Sequence, residues 1–283
     1  MPLLAIPFPH IDPVAMALGP LAIRWYALAY VAGIVGGWWY SRRLVADARL
    51  WGGVKQPTVN DMDDLIVWIA LGIVLGGRVG YVLFYNFESY LENPVEILTI
   101  WRGGMSFHGG FLGTILAIWL FTRSRGLNFL SVLDVAAVVT PIGLFTGRIA
   151  NFVNGELWGR PAPDLPWAFA FPAAGPIPRH PSQLYEAFAE GAVLLAFLSW
   201  AAQRFGFRRP GLIGGVFVAE YGTARIICEF FREPDEQLGF LFGGGVTMGQ
   251  LLSLPMVAVG LVTVAAAARG WTRGRARPEP AEA

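Results

Sequence analysis

The stretch LSVLDVAAVVTPIGLFTGRIANFVNGELWGR, residues 130–160, joins a long apolar run to a polar segment. Its first part, residues 130–147, approaches the roughly 20 residues that a bilayer-spanning helix requires. Its second part carries Arg148, Asn151, Asn154, Glu156 and Arg160. Polar groups at the end of a membrane span must be solvated, paired or functional, because lipid satisfies none of them. The stretch therefore predicts a membrane helix with a polar site at its end.

The composition is that of an integral membrane protein. The chain has 283 residues, 55% hydrophobic and only 14% charged, with a mean hydropathy of +0.51. A soluble domain usually carries about 25% charged residues. The formal net charge of +1 argues against a nucleic-acid partner, since binding nucleic acid requires a basic face.

Cysteine and histidine usage excludes two classes of site. A single cysteine, Cys228, rules out an intrachain disulfide and a cysteine-rich metal centre. His10, His108 and His180 lie far apart without zinc-binding spacing, so we expect no zinc centre. The first 20 residues contain no Lys or Arg, so we expect the first span to act as an uncleaved insertion signal.

The apolar pattern predicts an all-α integral membrane protein, a bundle of about seven transmembrane helices with a small extracytoplasmic element. The predicted single polytopic domain covers residues 1–283, with the element at 148–182 and a basic tail at 270–283. The predicted spans run over about 20–41, 63–85, 106–122, 130–147, 183–203, 211–231 and 247–268. No internal repeat is evident, whereas a transporter would favour inverted repeats and polar groups near the midplane.

Basic residues predict the orientation. Of the 21 Lys and Arg, 13 follow the first, third, fifth and seventh spans. These are Arg42, Arg43, Arg49, Lys55, Arg123, Arg125, Arg204, Arg208, Arg209, Arg269, Arg273, Arg275 and Arg277. The positive-inside rule makes that side cytoplasmic. The N-terminus is then outside and the tail cytoplasmic.

The remaining eight arginines fall, in this topology, in the outer loops or the outer parts of spans. Arg24, Arg78 and Arg225 belong to three different spans at similar depth. A charge inside a span costs several kcal/mol, so it usually faces a polar cavity. We expect an anionic group among these three arginines, at the level of the outer-leaflet headgroups.

His108, in MSFHGGFLG, lies at the outer start of the third span. Its two following glycines let another group approach the backbone. Imidazole titrates near neutral pH, so His108 is a candidate general base for a thiol or hydroxyl. An interfacial histidine satisfied by water is the alternative.

Arg225 and Glu229 are spaced i, i+4 in YGTARIICEFFRE, with Arg232 one turn further. A self-neutralising helix pair would explain the spacing. In lipid, a carboxylate that positions a basic group explains it better. Cys228 is interpreted as a packing residue.

Several other polar residues have two interpretations. Arg148 either snorkels to lipid phosphate or binds a substrate anion, and Glu156 has Arg148 or Arg160 as a partner. Tyr26 either belongs to the aromatic belt or functions in the site. In RHPSQLYEA, 179–187, the residues His180, Gln183 and Glu186 either line the site or cap a helix.

The pattern Gly-Arg-x-x-Asn-Phe-x-Asn-x-Glu-x-x-Gly at 147–159 closely resembles the signature of the bacterial prolipoprotein diacylglyceryl transferases. Further segments similar to that family follow in order over nearly the whole chain, at 24–30, 105–113, 179–186 and 221–232. Ala27 and Ala150 stand where the family often has glycine.

This resemblance implies an enzyme of the bacterial cytoplasmic (inner) membrane. It would transfer the diacylglyceryl group of phosphatidylglycerol to the lipobox cysteine of a prolipoprotein signal peptide, without a cofactor. The implied catalytic residues are His108, Arg148, Arg225, Glu156 and Tyr26. The implied substrate-binding residues are Arg148, Asn151, Asn154, Gly159, Glu229 and Arg232. Glu156 and Glu229 stay open as alternative proton acceptors, and a transferase for another headgroup stays open as an alternative activity.

Overall fold

The computed structural model describes residues 6–9, 11–19, 21–234, 239–241 and 244–272. His10 and the tail from residue 273 onward lie outside these residues. The helices are α1 Trp25–Ala46, α2 Val59–Phe84, α3 Phe87–Glu92, α4 Phe107–Arg125, α5 Phe129–Val153, α6 Ser182–Glu186, a π-helical segment Ala187–Val193, α7 Leu194–Phe205, α8 Leu212–Glu229 and α9 Met248–Ala268. The strands are β1 Ile6–Pro7, β2 Val14–Leu18, β3 Leu21–Arg24 and β4 Phe169–Ala170.

The protein is mostly helical, and each predicted span coincides with a long helix. α6, the π-helical segment and α7 form one continuous rod. Four helices are long and apolar enough to cross a membrane: Val59–Phe84, Phe129–Val153, Ser182–Phe205 and Met248–Ala268. α8 is less apolar because Glu220, Arg225 and Glu229 fall within its 18 residues.

Two predicted boundaries were wrong. The first helix begins at Trp25 rather than 20, because Leu21–Arg24 pairs with Val14–Leu18 as an antiparallel hairpin. α5 continues to Val153 rather than ending at 147. Its last turns stay helical because their polar side chains find partners inside the bundle. The outer element therefore begins after α5, not at 148.

Glycines set how closely α2 and α4 pack. Gly72, Gly76 and Gly80 face Gly109 and Gly113, and a Cβ atom on any of them would clash with backbone of the other helix. Small residues at four-residue spacing let membrane helices approach in this way. The first glycine after His108 is therefore explained by helix packing, not by access of another group.

α1 and α5 run antiparallel along a second close contact. Gly33 lies against Gly143, and four residues further along α1 Gly37 lies against Val139. Continuing this spacing one turn at a time brings Tyr26 level with Ala150. The outer start of α1 therefore lies beside the polar end of α5.

The apolar core lies at the end of the bundle opposite to the polar end of α5. Its aromatic members include Trp51 and Phe207, whose ring centroids are 4.9 Å apart. At this end Arg42 pairs with Asp63 at 2.5 Å. The ends of α1, α4 and α7 and the turns after them carry nine of the basic residues used to predict orientation, from Arg42 to Arg209. Lys55 donates to the Arg125 carbonyl and Arg208 to the Arg49 carbonyl, so these three ends lie together at one end of the bundle.

Asp134 ties the base of α8 to α5. Its carboxylate is fully buried and accepts hydrogen bonds from the amides of Gly211 at 2.8 Å and Gly214 at 2.6 Å. A carboxylate at a helix N-terminus satisfies otherwise unpaired amides and complements the helix dipole. These two hydrogen bonds fix α8, which carries Arg225, against α5, which carries Arg148.

The outer element is compact and packs around an aromatic cluster. β1 pairs in parallel with β4, so residues before α1 join a segment more than 150 positions later. Phe8, Phe152 and Phe171 meet with ring centroids 5.1 to 6.2 Å apart. The end of α5 is thereby anchored to the outer element.

Candidate active site

Arg148 and Arg225 converge on one glutamate from two different helices. Glu186 Oε2 lies 2.7 Å from Arg148 Nε, and Glu186 Oε1 lies 3.1 Å from Arg225 Nη1. The Glu186 side chain is 1% exposed, whereas the arginine side chains are 18% and 16% exposed. The arginines therefore retain some access from outside the protein, and the carboxylate has none.

Glu190 adds a second carboxylate one turn along the same rod. Its Oε2 lies 3.4 Å from Arg148 Nη2 and its Oε1 3.8 Å from Arg225 Nη1. The π-helical segment Ala187–Val193 carries it, and such segments are frequent at functional sites. Gly191, the next residue, lies against Phe145 of α5 so closely that a Cβ atom would clash. This contact presses Glu190 toward Arg148.

Glu229 completes the ion pairs from α8. It pairs directly with Arg225, and its other oxygen accepts a hydrogen bond of 2.7 Å from Thr247 Oγ1. Thr247 also caps α9, where its side chain and that of Gln250 form a capping box. Gly249 leaves room for the carboxylate, since a Cβ atom there would overlap Glu229.

Arg232 and Arg160 close the site toward the outer element. Arg232 Nη1 lies 3.4 Å from Glu186 Oε1 and its Nε 3.9 Å from Glu229 Oε1. Arg160 donates to the backbone carbonyls of Arg232 and Glu229, each at 2.9 Å. Its guanidinium also lies over the Phe240 ring, 5.0 Å from the centroid. Arg160 thus positions the chain that carries Arg232.

Glu156 and two asparagines form a hydrogen-bonded group at the end of α5. Asn151 Nδ2 donates to Glu156 Oε1 at 2.8 Å, and Asn154 Nδ2 donates to the same oxygen at 3.4 Å. Gln183 Nε2 donates to the Glu156 carbonyl at 2.5 Å. The buried oxygens Asn154 Oδ1 and Gln183 Oε1 have no hydrogen-bond partner among the described residues. The group therefore retains two buried acceptor atoms.

A family model described as prolipoprotein diacylglyceryl transferase matches residues 13–266 of this chain. Curated relatives named phosphatidylglycerol–prolipoprotein diacylglyceryl transferase cover it almost completely. The relative from Nitrobacter hamburgensis is 56% identical over 97% of this chain and 94% of its own. Those from Rhodopseudomonas palustris and Methylocella silvestris are 56% and 58% identical, over 99% and 93% of this chain and 97% and 96% of their own.

This chain belongs to the prolipoprotein diacylglyceryl transferase family. The family predicted from residues 147–159 is thereby confirmed, and with it the enzyme class, a transferase of lipoprotein maturation. Of the predicted site residues, Arg148, Arg225, Glu229 and Arg232 lie in one cluster of ion pairs. Asn151, Asn154 and Glu156 form the separate hydrogen-bonded group at the end of α5.

The predicted partner of Glu156 was wrong. Among the described ion pairs, none within 4 Å joins Glu156 to Arg148 or Arg160; Arg148 pairs instead with Glu186 and Glu190. The reason is that Arg148 lies within α5 and projects toward the neighbouring rod, whereas Glu156 follows the helix end and turns back onto Asn151.

The predicted grouping of Arg24, Arg78 and Arg225 around one anion was also wrong. Arg78 is 4% exposed, and its guanidinium donates to the backbone carbonyls of Glu96, Ile97, Gly103 and Gly104. Those four carbonyls satisfy its donors, so Arg78 holds the loop before α4 rather than a ligand. Arg24 is exposed at the start of α1.

His108 and Tyr26 lie at the N-terminal ends of their helices, α4 and α1. His108 is exposed in the first turn of α4, where its ring contacts that of Phe107. The Tyr26 hydroxyl lies 3.4 Å from the Tyr30 hydroxyl. In the described part of the chain neither side chain has a hydrogen bond or ion pair with the arginine and glutamate cluster.

Gly159 has a backbone role in the outer element. A Cβ atom there would lie 2.5 Å from the Phe231 carbonyl and 2.6 Å from the His180 carbonyl. Its amide donates to the His180 carbonyl at 2.9 Å. Burial and the nearby Arg160 lower the pKa of His180, whose Nδ1 lies 3.2 Å from the Tyr185 hydroxyl. Gly159 thus lets three segments meet beside the site.

Sequence reasoning missed Glu190 and left Glu186 between two roles. The signal was the i, i+4 pair of glutamates in YEAFAEGAV, inside an otherwise apolar helix. Two carboxylates in a membrane helix require cationic partners, and Arg148 and Arg225 were available.

Cys228 is buried and free, as a packing residue would be. No group of three or more metal-binding side chains occurs within the described ranges.

Proposed function

We propose that this protein transfers the diacylglyceryl group of phosphatidylglycerol to the lipobox cysteine of prolipoproteins. The product is a thioether, and glycerol phosphate leaves. Membership of the family and the names of the relatives support this assignment. The partners are two membrane-borne substrates, the lipid and the signal peptide that presents the cysteine. The net charge of +1 favours no role for nucleic acid.

The observation that carries the proposal is the convergence of Arg148 and Arg225 on Glu186, at 2.7 and 3.1 Å. Two guanidinium groups held side by side offer several N–H donors to one phosphate. Both arginines keep part of their surface exposed, so the phosphodiester of an outer-leaflet lipid can reach them. The buried glutamates hold the arginines in place before the lipid arrives.

The chemistry is a displacement at carbon. The thiolate of the acceptor attacks the glycerol carbon that bears the phosphate, the C–O bond breaks, and its electron pair stays on the phosphate oxygen. Negative charge gathers on the leaving phosphate, so preorganised donors in a dry site lower the barrier most at that moment. Arg148 and Arg225 supply those donors.

His108 is the proposed base for the acceptor thiol, with Glu156 and Glu229 as the alternatives. Its exposed position in the first turn of α4 suits a cysteine presented at the outer surface, and an imidazole can accept a thiol proton. Tyr26 is also proposed to function in the site. Its position level with the end of α5 supports this role.

The substrate-binding residues divide by chemistry. Asn151 and Asn154 are proposed to contact the free glycerol of the headgroup, because amides both donate and accept. Glu229 and Arg232 are proposed to hold the side chain of Arg225 in its position in the site. Gly159 contributes through the close backbone packing that shapes the outer wall.

The proposed membrane arrangement has seven spans in the bacterial cytoplasmic membrane. Each span corresponds to one long helix or to the α6–α7 rod. The N-terminus would lie outside and the C-terminus in the cytoplasm, as the basic residues at one end of the bundle favour. The arginine and glutamate cluster would then lie near the outer leaflet.

The decisive experiment uses purified protein in detergent micelles with phosphatidylglycerol and a synthetic lipobox peptide. The peptide should gain the mass of one diacylglyceryl group. A matched peptide with serine in place of cysteine should gain nothing, as should the cysteine peptide with diacylglycerol as the only lipid. Absence of the gain with the complete mixture, or an equal gain on the serine peptide, would contradict the proposal.

A further inference from the structure

The charged cluster of the site contains equal numbers of arginines and glutamates that pair with one another. Among the described residues, the ion pairs of the cluster join three arginines, Arg148, Arg225 and Arg232, to three glutamates, Glu186, Glu190 and Glu229. With every group ionised their formal charges cancel. All three glutamates are at most 4% exposed. A buried site of this kind tolerates extra net charge poorly, because low-polarity surroundings penalise an uncompensated ion.

A phosphodiester lipid brings one further negative charge into this neutral cluster. If every carboxylate kept its charge, the occupied site would carry one net negative charge out of water. Uptake of one proton by one glutamate restores neutrality. The three glutamates are not equivalent candidates for that proton, because their contacts differ.

Glu186 and Glu229 are strongly held as carboxylates. Glu186 contacts Arg148 at 2.7 Å, Arg225 at 3.1 Å and Arg232 at 3.4 Å. Glu229 pairs directly with Arg225 and accepts a hydrogen bond of 2.7 Å from Thr247. Short contacts of this kind favour the charged form.

Glu190 is compensated least. Its nearest guanidinium nitrogens lie at 3.4 Å and 3.8 Å. Its Oε1 and Glu186 Oε2 are both buried without a hydrogen-bond partner among the described residues. Glu186 Oε2, however, lies 2.7 Å from Arg148 Nε, whereas the guanidinium nitrogen paired with Glu190 Oε1 lies at 3.8 Å. The charged or titratable groups facing Glu190 are Arg148 from α5, Glu186 from its own rod, and Arg225, Tyr221 and Cys228 from α8. An anion between the two arginines would draw them away from this carboxylate first.

We propose that Glu190 takes up one proton from solvent when the phosphate of an anionic lipid binds between Arg148 and Arg225. This inference rests on the proposed function and adds how the site accepts its substrate's charge. Glu190 is a positioning residue in this scheme: as a carboxylate it holds the arginines of the empty site in place, and once protonated it releases them to the phosphate. The occupied site is then neutral again, and no covalent bond changes.

Binding of the lipid and protonation of Glu190 favour each other. A negative charge beside Glu190 favours its protonated form, so binding consumes a proton. Affinity for the lipid is then highest at low pH and falls as pH rises through the range in which the empty site loses that proton. Above that range a single linked proton makes the dissociation constant grow tenfold for each pH unit.

The test is calorimetric titration of the full-length wild-type protein with phosphatidylglycerol in micelles, without acceptor peptide. Titrations in buffers of different ionisation enthalpy count the protons taken up. We expect one proton per phosphatidylglycerol, none for diacylglycerol, and a Kd that rises about tenfold per pH unit on the alkaline side. Glu190→Gln should bind phosphatidylglycerol without proton uptake and with a Kd independent of pH.

Glu220→Gln is the matched control, because Glu220 is a half-buried carboxylate of α8 outside the ion pairs. It and Tyr221→Phe should keep the one-proton uptake. A wild-type count of zero overturns the inference while the proposed function stands. Uptake retained by Glu190→Gln also overturns it. Absence of phosphatidylglycerol binding at every pH overturns the proposed function, and this inference with it. If Glu190→Gln does not fold, a wild-type count of zero still overturns the inference.

Discussion

The carboxylate of Glu186 holds the guanidinium of Arg148, with Oε2 2.7 Å from Nε and the glutamate side chain 1% exposed. The two residues come from different helices and lie 38 positions apart in the sequence. A buried ion pair of this kind depends on both partners, because removing one leaves the other charge unpaired out of water. The functional arginines and the buried glutamates therefore act as one unit.

Arg148→Ala and Arg225→Ala should each abolish lipidation while the protein still inserts into the membrane. Each change removes a phosphate donor whose contribution is greatest as charge develops on the leaving group, and loss of one such donor costs about 100- to 1000-fold in rate. The mass gain of a lipobox peptide measures the activity. Arg43→Ala is the matched control, since Arg43 is exposed at the opposite end of the bundle and stacks on Trp39.

Glu186→Gln should reduce both activity and stability. The amide keeps the shape but loses the charge that three arginines share, at 2.7, 3.1 and 3.4 Å. Breaking a buried pair in this way costs about 3 to 5 kcal/mol. Thermal unfolding in detergent measures the loss, and Glu220→Gln again serves as the control. An unchanged melting temperature together with wild-type activity would contradict the role given to Glu186.

The positions of the helices could be predicted because bilayer spans must be long and apolar, a property visible in any window of sequence. Arg148, Arg225 and Glu229 could be predicted as site residues because charge within an apolar run requires a partner. The predicted end of the 130–147 span was wrong for the same reason. The prediction assumed that Arg148 contacts water, whereas the charge of Arg148 is paired with Glu186 within the protein.

Other features depend on contacts between distant parts of the chain. Arg78 resembles Arg225 in sequence, yet its donors go to the carbonyls of a loop about 20 residues later. The glycine after His108 suggested access to a ligand, whereas it packs against Gly76 and Gly80. One sequence gives the charge and size of each residue but not which surface lies opposite it.

Gly76→Leu should destabilise the bundle strongly. A side chain at Gly76 would push into the backbone of α4 at Gly109 and Gly113, and backbone cannot move aside cheaply. We expect loss of folded protein in detergent, measured by thermal unfolding and size-exclusion chromatography. Gly143→Ala is the control: a Cβ atom there meets nothing within 4 Å, and alanine favours helix by about 1 kcal/mol. Equal melting temperatures for the two variants would contradict the packing argument.

Arg78→Ala should loosen the loop between α3 and α4. Four carbonyls lose their buried donor, and a single unsatisfied buried group already costs about 1 to 3 kcal/mol. We expect faster proteolysis between residues 93 and 106 and a lower rate of transfer, because the same loop leads into His108. Exposed Arg24 provides the control: Arg24→Ala should leave both protease resistance and melting temperature unchanged. A loop as protected in Arg78→Ala as in the wild type would refute this assignment.

His108→Gln should lose activity across the whole pH range if His108 is the base, because the amide cannot accept the thiol proton at any pH. The transfer rate to a lipobox peptide, measured from neutral to alkaline pH, gives the profile. His180→Gln is the matched control. Burial and Arg160 lower the pKa of His180, so that side chain is neutral at neutral pH and its replacement removes no charge. Recovery of wild-type rates by His108→Gln at high pH would mean that the histidine only assists deprotonation, and the proton acceptor would then be sought at Glu156 or Glu229.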